Sequence, residues 1–578
     1  MLAGSDFRWL LDRLKPMRSR IVLGLLCMSF AGIAATIDPL MMRSLIDRAL
    51  PQGDLHLAME LAGGIGLCYF GRSALYTIGS LVNFSIAQHC IRDLRIALLD
   101  QMNRLSADYH EQTPTGEKLT RIEHDVDEIA NLGAETANQS LRAVLFFVLN
   151  LVMMARLNLP MTLTVLPLMP LFAIIQRRFS VLLKTRADEA RSEVGVAASM
   201  LNEHLAAIPQ IQLLGAEERS AHQARSLWEG MLRAQWVQRR TQVGFSLSIG
   251  AILVAAILVV LALGSAKVVA GTLTIGGLVA FYAYATRVFD PISSAMDLYA
   301  RLQTVGASIR RVRELLVLEP SVRDTGTIRF NSPQLHRGFR IEDVSFSYGG
   351  KPALRNIMLR IDPGERLAII GASGSGKSTL ARLLVRAADP EAGCIFLEEQ
   401  PLACYTLASL RDTVRFVPQH PVLFQGTIRE NLLYGNPLAT TADMLRTIEA
   451  VQLAPVLRAL PHGLDTPLGP GAAGLSGGER QRLAIARSLL RESAALILDE
   501  ATSALDAPTE YAVFASLAEF RPHQTLIVIS HHISSLTWVD RFALLDQGRI
   551  VATGDHTMLY AQSALYRTLF DASAHNGT

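Results

Sequence analysis

Residues Gly371–Thr379 read GASGSGKST: three glycines, four hydroxyl residues and a single lysine. The apolar run Leu367–Ile370 precedes them and LARLLV, apolar at helical spacing, follows. A strand, a glycine loop and a helix in this order make a cradle for polyphosphate. Glycine lets consecutive N–H groups curl toward an anion at the positive end of the helix. Gly371, Ala372, Ser373, Gly374, Ser375, Gly376, Lys377, Ser378 and Thr379 are therefore the expected phosphate contacts. Lys377 is placed to reach the β- and γ-phosphates of a bound nucleotide, ATP, and Ser378 to hold Mg²⁺. Further along, Leu496-Ile-Leu ends in Asp499 and Glu500. Two acids at the exit of a buried strand supply one carboxylate for the cation shell, Asp499, and one to orient the attacking water, Glu500.

Between these segments runs LSGGERQR, Leu475–Arg482. With it the chain resembles the ATP-binding cassette (ABC) family over essentially its whole length. The resemblance implies that Ser476, Gly477, Gly478 and Glu479 of one subunit cap the ATP held by another. It further implies that Gln419, in FVPQHPVLF, senses Mg²⁺ and couples to the membrane domain, and that Asp506, in SALD, is the acid of the loop after the catalytic strand. His531, in VISHH, corresponds to the histidine that contacts the γ-phosphate, and Tyr348, in FSYGG, to the aromatic that stacks on adenine. The expected metal contacts are thus Ser378, Gln419 and Asp499, and the expected catalytic pair Glu500 and His531. Three departures stand out: Glu479 where Gln is common, His532 where Arg is usual, and Pro470 where exporters carry an acid shortly before the signature. Since Glu500, His531 and the signature glycines are all kept, a homodimer with two active sites is favoured over a heterodimer.

The first half of the chain must position this machinery, and it has another character. Half of the 578 residues are hydrophobic and 19% are charged; the mean hydropathy is positive, and most of the excess lies before Ala300. Charge-poor stretches long enough to cross a hydrocarbon core of roughly 30 Å fall at about 21–46, 57–85, 137–155, 158–177, 241–266 and, after Gly271-Thr-Leu-Thr-Ile, from about 276 onward. The tight turn Arg156-Leu-Asn-Leu-Pro160 joins the third and fourth. Basic residues gather before the first span (Arg8, Arg13, Lys15, Arg18, Arg20) and after the fourth (Arg177, Arg178, Lys184, Arg186, Arg191). By the positive-inside rule both termini and the ATPase face the cytoplasm of an inner or plasma membrane.

Six spans with long excursions at about 86–136 and 178–240 resemble the exporter-type half-transporter. The expected fold is a membrane all-α six-helix transmembrane domain fused to a cytoplasmic α/β P-loop ATPase. Residues 1–18 form an interfacial elbow helix, 19–307 the membrane domain, 308–335 the linker and 336–572 the cassette. Coupling regions are expected at about 106–125 and 202–218. The function implied is ATP-driven export or flipping of a hydrophobic or amphipathic lipid, drug or peptide by a dimer. Import on the same fold, or a membrane-anchored regulatory ATPase without cargo, are the alternatives. Charges inside spans, Asp38, Glu60, Arg72 and Arg142, are candidates for function, with Asp38-Pro39 also a kink signal. Five cysteines without a C-x-x-C pair support neither zinc nor a disulfide framework. A net charge of +3 does not imply nucleic acid.

Overall fold

The computed structural model describes residues 4–575 except Asn331, Pro333, His531 and Thr537; side chains at 132–142 and at Pro470, with a few others, lie outside it. Among the expected functional residues, His531 and the side chain of Arg142 therefore fall outside the described residues. The chain divides into two compact units. One comprises residues up to Asn103 and Pro114–Leu318; the other comprises Arg104–Thr113 and residues from Glu319 onward.

The first unit is helical throughout. Its longest helices, Leu55–Arg104 with 50 residues and Glu217–Val269 with 53, reach about 75–80 Å at 1.5 Å per residue. That is more than twice a bilayer core, so each runs well beyond any membrane and accounts for the long excursions. Three segments are both long and apolar enough to cross among the described residues: Arg8–Gln52, Ala143–Val165 and Glu217–Val269. They overlap the first expected span, the third together with the start of the fourth, and the fifth. The second lies on Leu55–Arg104, where Glu60, Arg72 and several glycines dilute the hydropathy. The sixth divides into Ile275–Arg287 and Asp290–Val317 at a break before Pro291. Its second half continues to Val317, so residues 308–317, expected in the linker, are helical and belong to the membrane unit. Large apolar side chains point outward, Leu67 and Phe70 each 74% exposed, as a hydrocarbon-facing surface requires.

Both suspected breaks are real, and each finds its hydrogen-bond partners within the unit. The helix Arg18–Ala34 stops before Asp38–Ser44, which carries Pro39 at its start. The freed carbonyls at this kink are taken by the sixth-span helix: Arg287 Nη1 donates to Ala35 O at 2.8 Å and the Tyr284 hydroxyl to Thr36 O. In a membrane such groups find no water, so the protein must supply the partners. Asn158 alone leaves helical geometry within Val126–Val165 (φ −162°, ψ 101°), and its Oδ1 accepts the Met161 N–H at 3.1 Å. Lower in the unit, Asp125 is fully buried and receives Arg311 Nε at 2.8 Å and the Ser308 hydroxyl at 2.9 Å.

In the second unit, β1 (Phe339–Tyr348), β2 (Lys351–Ile361), β4 (Ala392–Leu397) and β5 (Gln400–Pro401) form an antiparallel sheet in the order β2-β1-β4-β5. β3 (Arg366–Ile370), β6 (Val414–Val417), β9 (Ala495–Asp499), β10 (Thr525–Ile529), β11 (Arg541–Asp546) and β12 (Arg549–Gly554) form the main sheet, ordered β12-β11-β3-β10-β9-β6. β7 (Gly426–Thr427) and β8 (Pro467–Leu468) make a small separate pair. All neighbours in the main sheet are parallel except β11 and β12. Leu367 and Ile369 enter one buried cluster, Ala368 and Ile370 the other; Ile497 and Leu498 divide likewise. The strand period of two puts alternate residues on opposite faces, and a parallel sheet covered on both faces needs both to be apolar. These continuous apolar runs fix the sheet, and its strand ends fix the site.

Candidate nucleotide site

The loop after β3 closes tightly on the sheet. At Gly371 a Cβ would stand 2.1 Å from Leu545 O, and at Gly376, φ 106°, it would stand 2.7 Å from Ala353 O. Glycine is required at both for close backbone approach and, at Gly376, for left-handed geometry. The helix Lys377–Leu384 then starts, with Lys377 donating from Nζ to Gly371 O at 2.9 Å and Ala372 O at 3.0 Å. Burial pushes the Lys377 pKa down, opposed by the charges of Glu500 and Asp499.

Parallel pairing carries β9 to the same end of the sheet, and there Ser378 Oγ donates to Asp499 Oδ1 at 2.8 Å. Burial raises the Asp499 pKa, against the hydrogen bond from Ser378. A hydroxyl and a carboxylate oxygen, side by side, are the hard oxygen donors that suit Mg²⁺ when phosphates and water complete its shell. No group of three or more His, Cys, Asp or Glu able to hold a metal occurs among the described residues.

Glu500 lies in the left-handed region, φ 48°, a strained conformation for a residue with a Cβ. Two bonds over-determine it: its N–H donates to Ile529 O at 2.9 Å, and its carboxylate receives Gln419 Nε2 at 2.5 Å. Two site residues expected from sequence, Gln419 and Glu500, are thus joined directly. Tyr348 ends β1 with its ring edge-on to Phe346, centroids 4.9 Å apart. Asp506 opens the helix Ala507–Phe520, where the Thr509 hydroxyl holds its carboxyl below the usual range.

The signature residues form their own cluster. Ser476 precedes the helix Gly477–Leu489 and makes a capping box with Glu479: Ser476 N–H donates to Glu479 Oε2 at 2.7 Å, and Glu479 N–H to Ser476 Oγ at 3.3 Å. Glu479, the departure from Gln, therefore fulfils the same local role. A Cβ at Gly478 would meet Leu505 and Ala504 O under 3 Å, so only glycine lets the signature helix press on the segment after Glu500.

Three contributors escaped the motif reading. Gln481 Nε2 donates to Ser503 Oγ at 3.1 Å and Gln419 O at 3.4 Å, while its Oε1 accepts the Ala504 N–H at 2.9 Å. It ties signature helix, Gln419 loop and strand exit together. Glu510, fully buried, accepts Thr502 Oγ1 at 2.6 Å and Ser535 Oγ at 2.8 Å, with His532 Nδ1 at 3.4 Å. His532, standing where Arg is usual, thus still faces a carboxylate. Arg382, on the helix after the phosphate loop, holds Glu111.

A second site lies in the membrane unit. A cavity of about 360 Å³ is lined by Tyr69, Arg72, Tyr76, Phe146, Asp290 and neighbours. Arg72 Nη1 donates to Asp38 Oδ2 at 3.1 Å and the guanidinium lies 4.8 Å from the Tyr69 ring centre.

A glycine-loop cradle, two carboxylates at the exit of a parallel strand and a helical membrane unit in one polypeptide define an ATP-driven membrane transporter. Residues 21–292 match the family model described as ABC transporter transmembrane region, and residues 354–503 the model described as ABC transporter. The chain belongs to the ABC transporter family, as an exporter-type half-transporter carrying one membrane region and one cassette. It is 32% identical over 571 residues to an ATP-dependent lipid A-core flippase of Thiobacillus denitrificans, covering 97% of each chain. It is 29% identical to a protein of the same name from Desulfotalea psychrophila, covering 96% of this chain and 97% of the other. A solved bacterial Atm1-family ABC exporter with ATP bound matches with a TM-score of 0.80 and 27% identity, covering 96% and 98% of the two chains. Half-transporters of this kind work as dimers, and this one is a multi-pass membrane protein whose cassette binds nucleotide.

Proposed function

We propose that two copies of this chain form a homodimer in the inner membrane, bind two ATP with Mg²⁺, and flip a lipid-like amphiphile toward the outer side. The observation that carries this reading is the assembled, unmutilated catalytic set: Ser378 on Asp499 and Gln419 on Glu500. A chain with one complete half-site needs only a second copy of itself to cap both nucleotides. Lys377 and the loop N–H groups bind the phosphates, Ser378, Asp499 and Gln419 hold Mg²⁺, Tyr348 stacks on adenine, and Glu500 with His531 positions water. Ser476, Gly477, Gly478 and Glu479 reach the partner's γ-phosphate, with Asp506 beside them.

The apex between the helices Leu168–Leu213 and Glu217–Val269 supports a second copy. Leu213 and Leu214 are 87% and 79% exposed there, an apolar tip beyond the reach of lipid that a partner cassette would cover. For cargo, the Arg72 cavity combines a cation, an acid and aromatic rings between apolar walls, the chemistry of a charged headgroup site. The lipid A-core flippases among the relatives support the lipid class. Both termini and the cassette face the cytoplasm on the basic residues that flank the first and fourth spans. ATP closure drives the outward conformation only to the extent that nucleotide binds it more tightly.

The test is lipid translocation in proteoliposomes with a headgroup-labelled fluorescent phospholipid and surface quenching. ATP-dependent movement, absent in Glu500→Gln and slowed in Arg72→Ala at unchanged ATP affinity, is the expected result. Robust ATP hydrolysis without translocation of any labelled lipid would overturn the lipid assignment.

A further inference from the structure

Asp290 opens the second half of the sixth span, directly before Pro291. It lies about 20 Å along a span that starts near residue 276, at a depth where an unpaired carboxylate is costly and marks a functional site. Val288 and Phe289 just before it are buried, whereas Asp290 is exposed. It lines the cavity of about 360 Å³ whose walls also carry Arg72, Tyr69, Tyr76 and Phe146.

Among the described residues nothing answers this carboxylate. The Ser294 hydroxyl donates to the backbone carbonyl of Asp290 at 3.1 Å and not to its side chain. Arg287, one turn earlier, gives its Nη1 to Ala35 O at 2.8 Å. Arg72, the other charged residue lining the cavity, is already matched by Asp38 at 3.1 Å. Counting Arg72 with Asp38 as neutral, the charge left over is that of Asp290, and what the cavity lacks is a cation. An ammonium group supplies one unit of positive charge together with N–H donors for the carboxylate. Aromatic walls favour it further through cation–π attraction, which strengthens as water is excluded. The Arg72 guanidinium already sits 4.8 Å from the Tyr69 ring centre, so this cavity shows that its rings accept a cation. Gly32, Ala35 and Ser73 line it with small side chains and leave room for a headgroup.

We infer that this cavity selects amphiphiles whose headgroup carries a protonated amine, and that Asp290 is the residue that sets this specificity. The inference rests on the reading of the cavity as the cargo site. Arg72 retains N–H donors beyond the one given to Asp38, and these hold a headgroup phosphate where one is present. An aminophospholipid is thus bound at both charges, a simple cationic amphiphile at Asp290 alone, and a phosphate-only lipid lacks the group that Asp290 requires.

The experiment uses the full-length protein in dodecyl maltoside, a detergent without charge, and follows the change in ATPase rate, of either sign, with added dodecylamine or dodecyl phosphate. The two probes share a tail, and the half-saturating concentration is expected to be about tenfold lower for the amine. Asp290→Asn raises the amine's value about tenfold, Asp290→Glu keeps the preference, and Asp290→Lys turns it toward dodecyl phosphate. Melting temperatures check that each variant is folded. Equal response to both probes, or an unchanged amine preference in Asp290→Asn, overturns the assignment.

Tail-labelled phosphatidylethanolamine and phosphatidic acid in the translocation assay then separate lipid from other amines. Preferential movement of phosphatidylethanolamine, lost in Asp290→Asn, is the expected result. If dodecylamine acts through Asp290 while neither lipid moves, the amine site stands and the lipid reading falls. If both lipids move alike and Asp290→Asn changes nothing, the cargo reading stands and the amine specificity is wrong. If ATP is hydrolysed while neither probe alters the rate and no lipid moves, the cavity is not the cargo site and the inference falls with it.

Discussion

Ser378 and Asp499 are 121 residues apart in sequence, and the hydroxyl of the first donates to the carboxylate of the second at 2.8 Å. β3 and β9 both flank β10 in parallel, so the loops leaving their carboxyl ends converge on one point. The proposed cation site is therefore a product of sheet order, with each donor delivered by its own strand.

Removing either donor should disable the same step. Asp499→Asn is expected to lower kcat by at least about 100-fold, as loss of a group that fixes a catalytic cation does. Ser378→Ala added to it should cost little more, since groups acting as a unit are not additive. Steady-state ATPase assays over a Mg²⁺ titration, on single and double variants, check this.

The signature cap separates a structural from a chemical role. Ser476→Ala deletes an N-cap and should destabilise by about 1 kcal/mol. Glu479→Gln keeps the reach back to Ser476 N–H and should be nearly neutral in melting temperature and in ATPase rate. Glu479→Ala should fall with Ser476→Ala.

Asp125 is fully buried, and Arg311 is the cation that answers it. Arg311→Ala would leave an uncompensated buried charge and should cost about 2–3 kcal/mol, at the lower edge of the usual range because Arg311 is itself half exposed. Arg311→Lys should fall between, having lost the fork. Asp125→Ala combined with Arg311→Ala should cost less than the single changes summed. Thermal unfolding in detergent reads all three.

Asp443 offers a pH signature with a defined sign. The Thr440 hydroxyl and N–H, together with Arg446, hold its carboxyl down to about 2 from 3.8. A lowered folded-state pKa gives stability that is present above the unfolded value and is lost as pH falls through the folded one. The helix Thr441–Ala450, which this cap begins, should therefore loosen between about pH 4 and pH 2. Asp443→Asn should flatten that limb when amide exchange of the helix is followed across the range.

The phosphate loop and strand exit were legible in the sequence because their function depends on residues adjacent in the chain: glycine spacing fixes one loop, and an apolar run fixes the strand that ends in Asp499 and Glu500. The kinks at Asp38-Pro39 and Asn158 were legible for the same local reason, proline and a short polar residue within apolar runs. Gln481, Glu510 and Arg382 were not. Each works through partners brought near by folding: Ser503 and Gln419 for the first, Ser535 for the second, Glu111, 271 residues away, for the third. The junction after the sixth span was drawn too early because charges at Arg310, Arg311 and Arg313 read as linker, whereas they decorate a helix that runs to Val317.

The central claim is that this chain alone builds two working ATP sites, and the ATPase rate of the singly purified protein in lipid nanodiscs, wild type against Glu500→Gln, tests it most directly. Steady hydrolysis by the wild type, reduced at least about 100-fold in Glu500→Gln with ATP binding retained, is the predicted result. Folded, ATP-binding wild-type protein that does not hydrolyse ATP until a different half-transporter is added would contradict it.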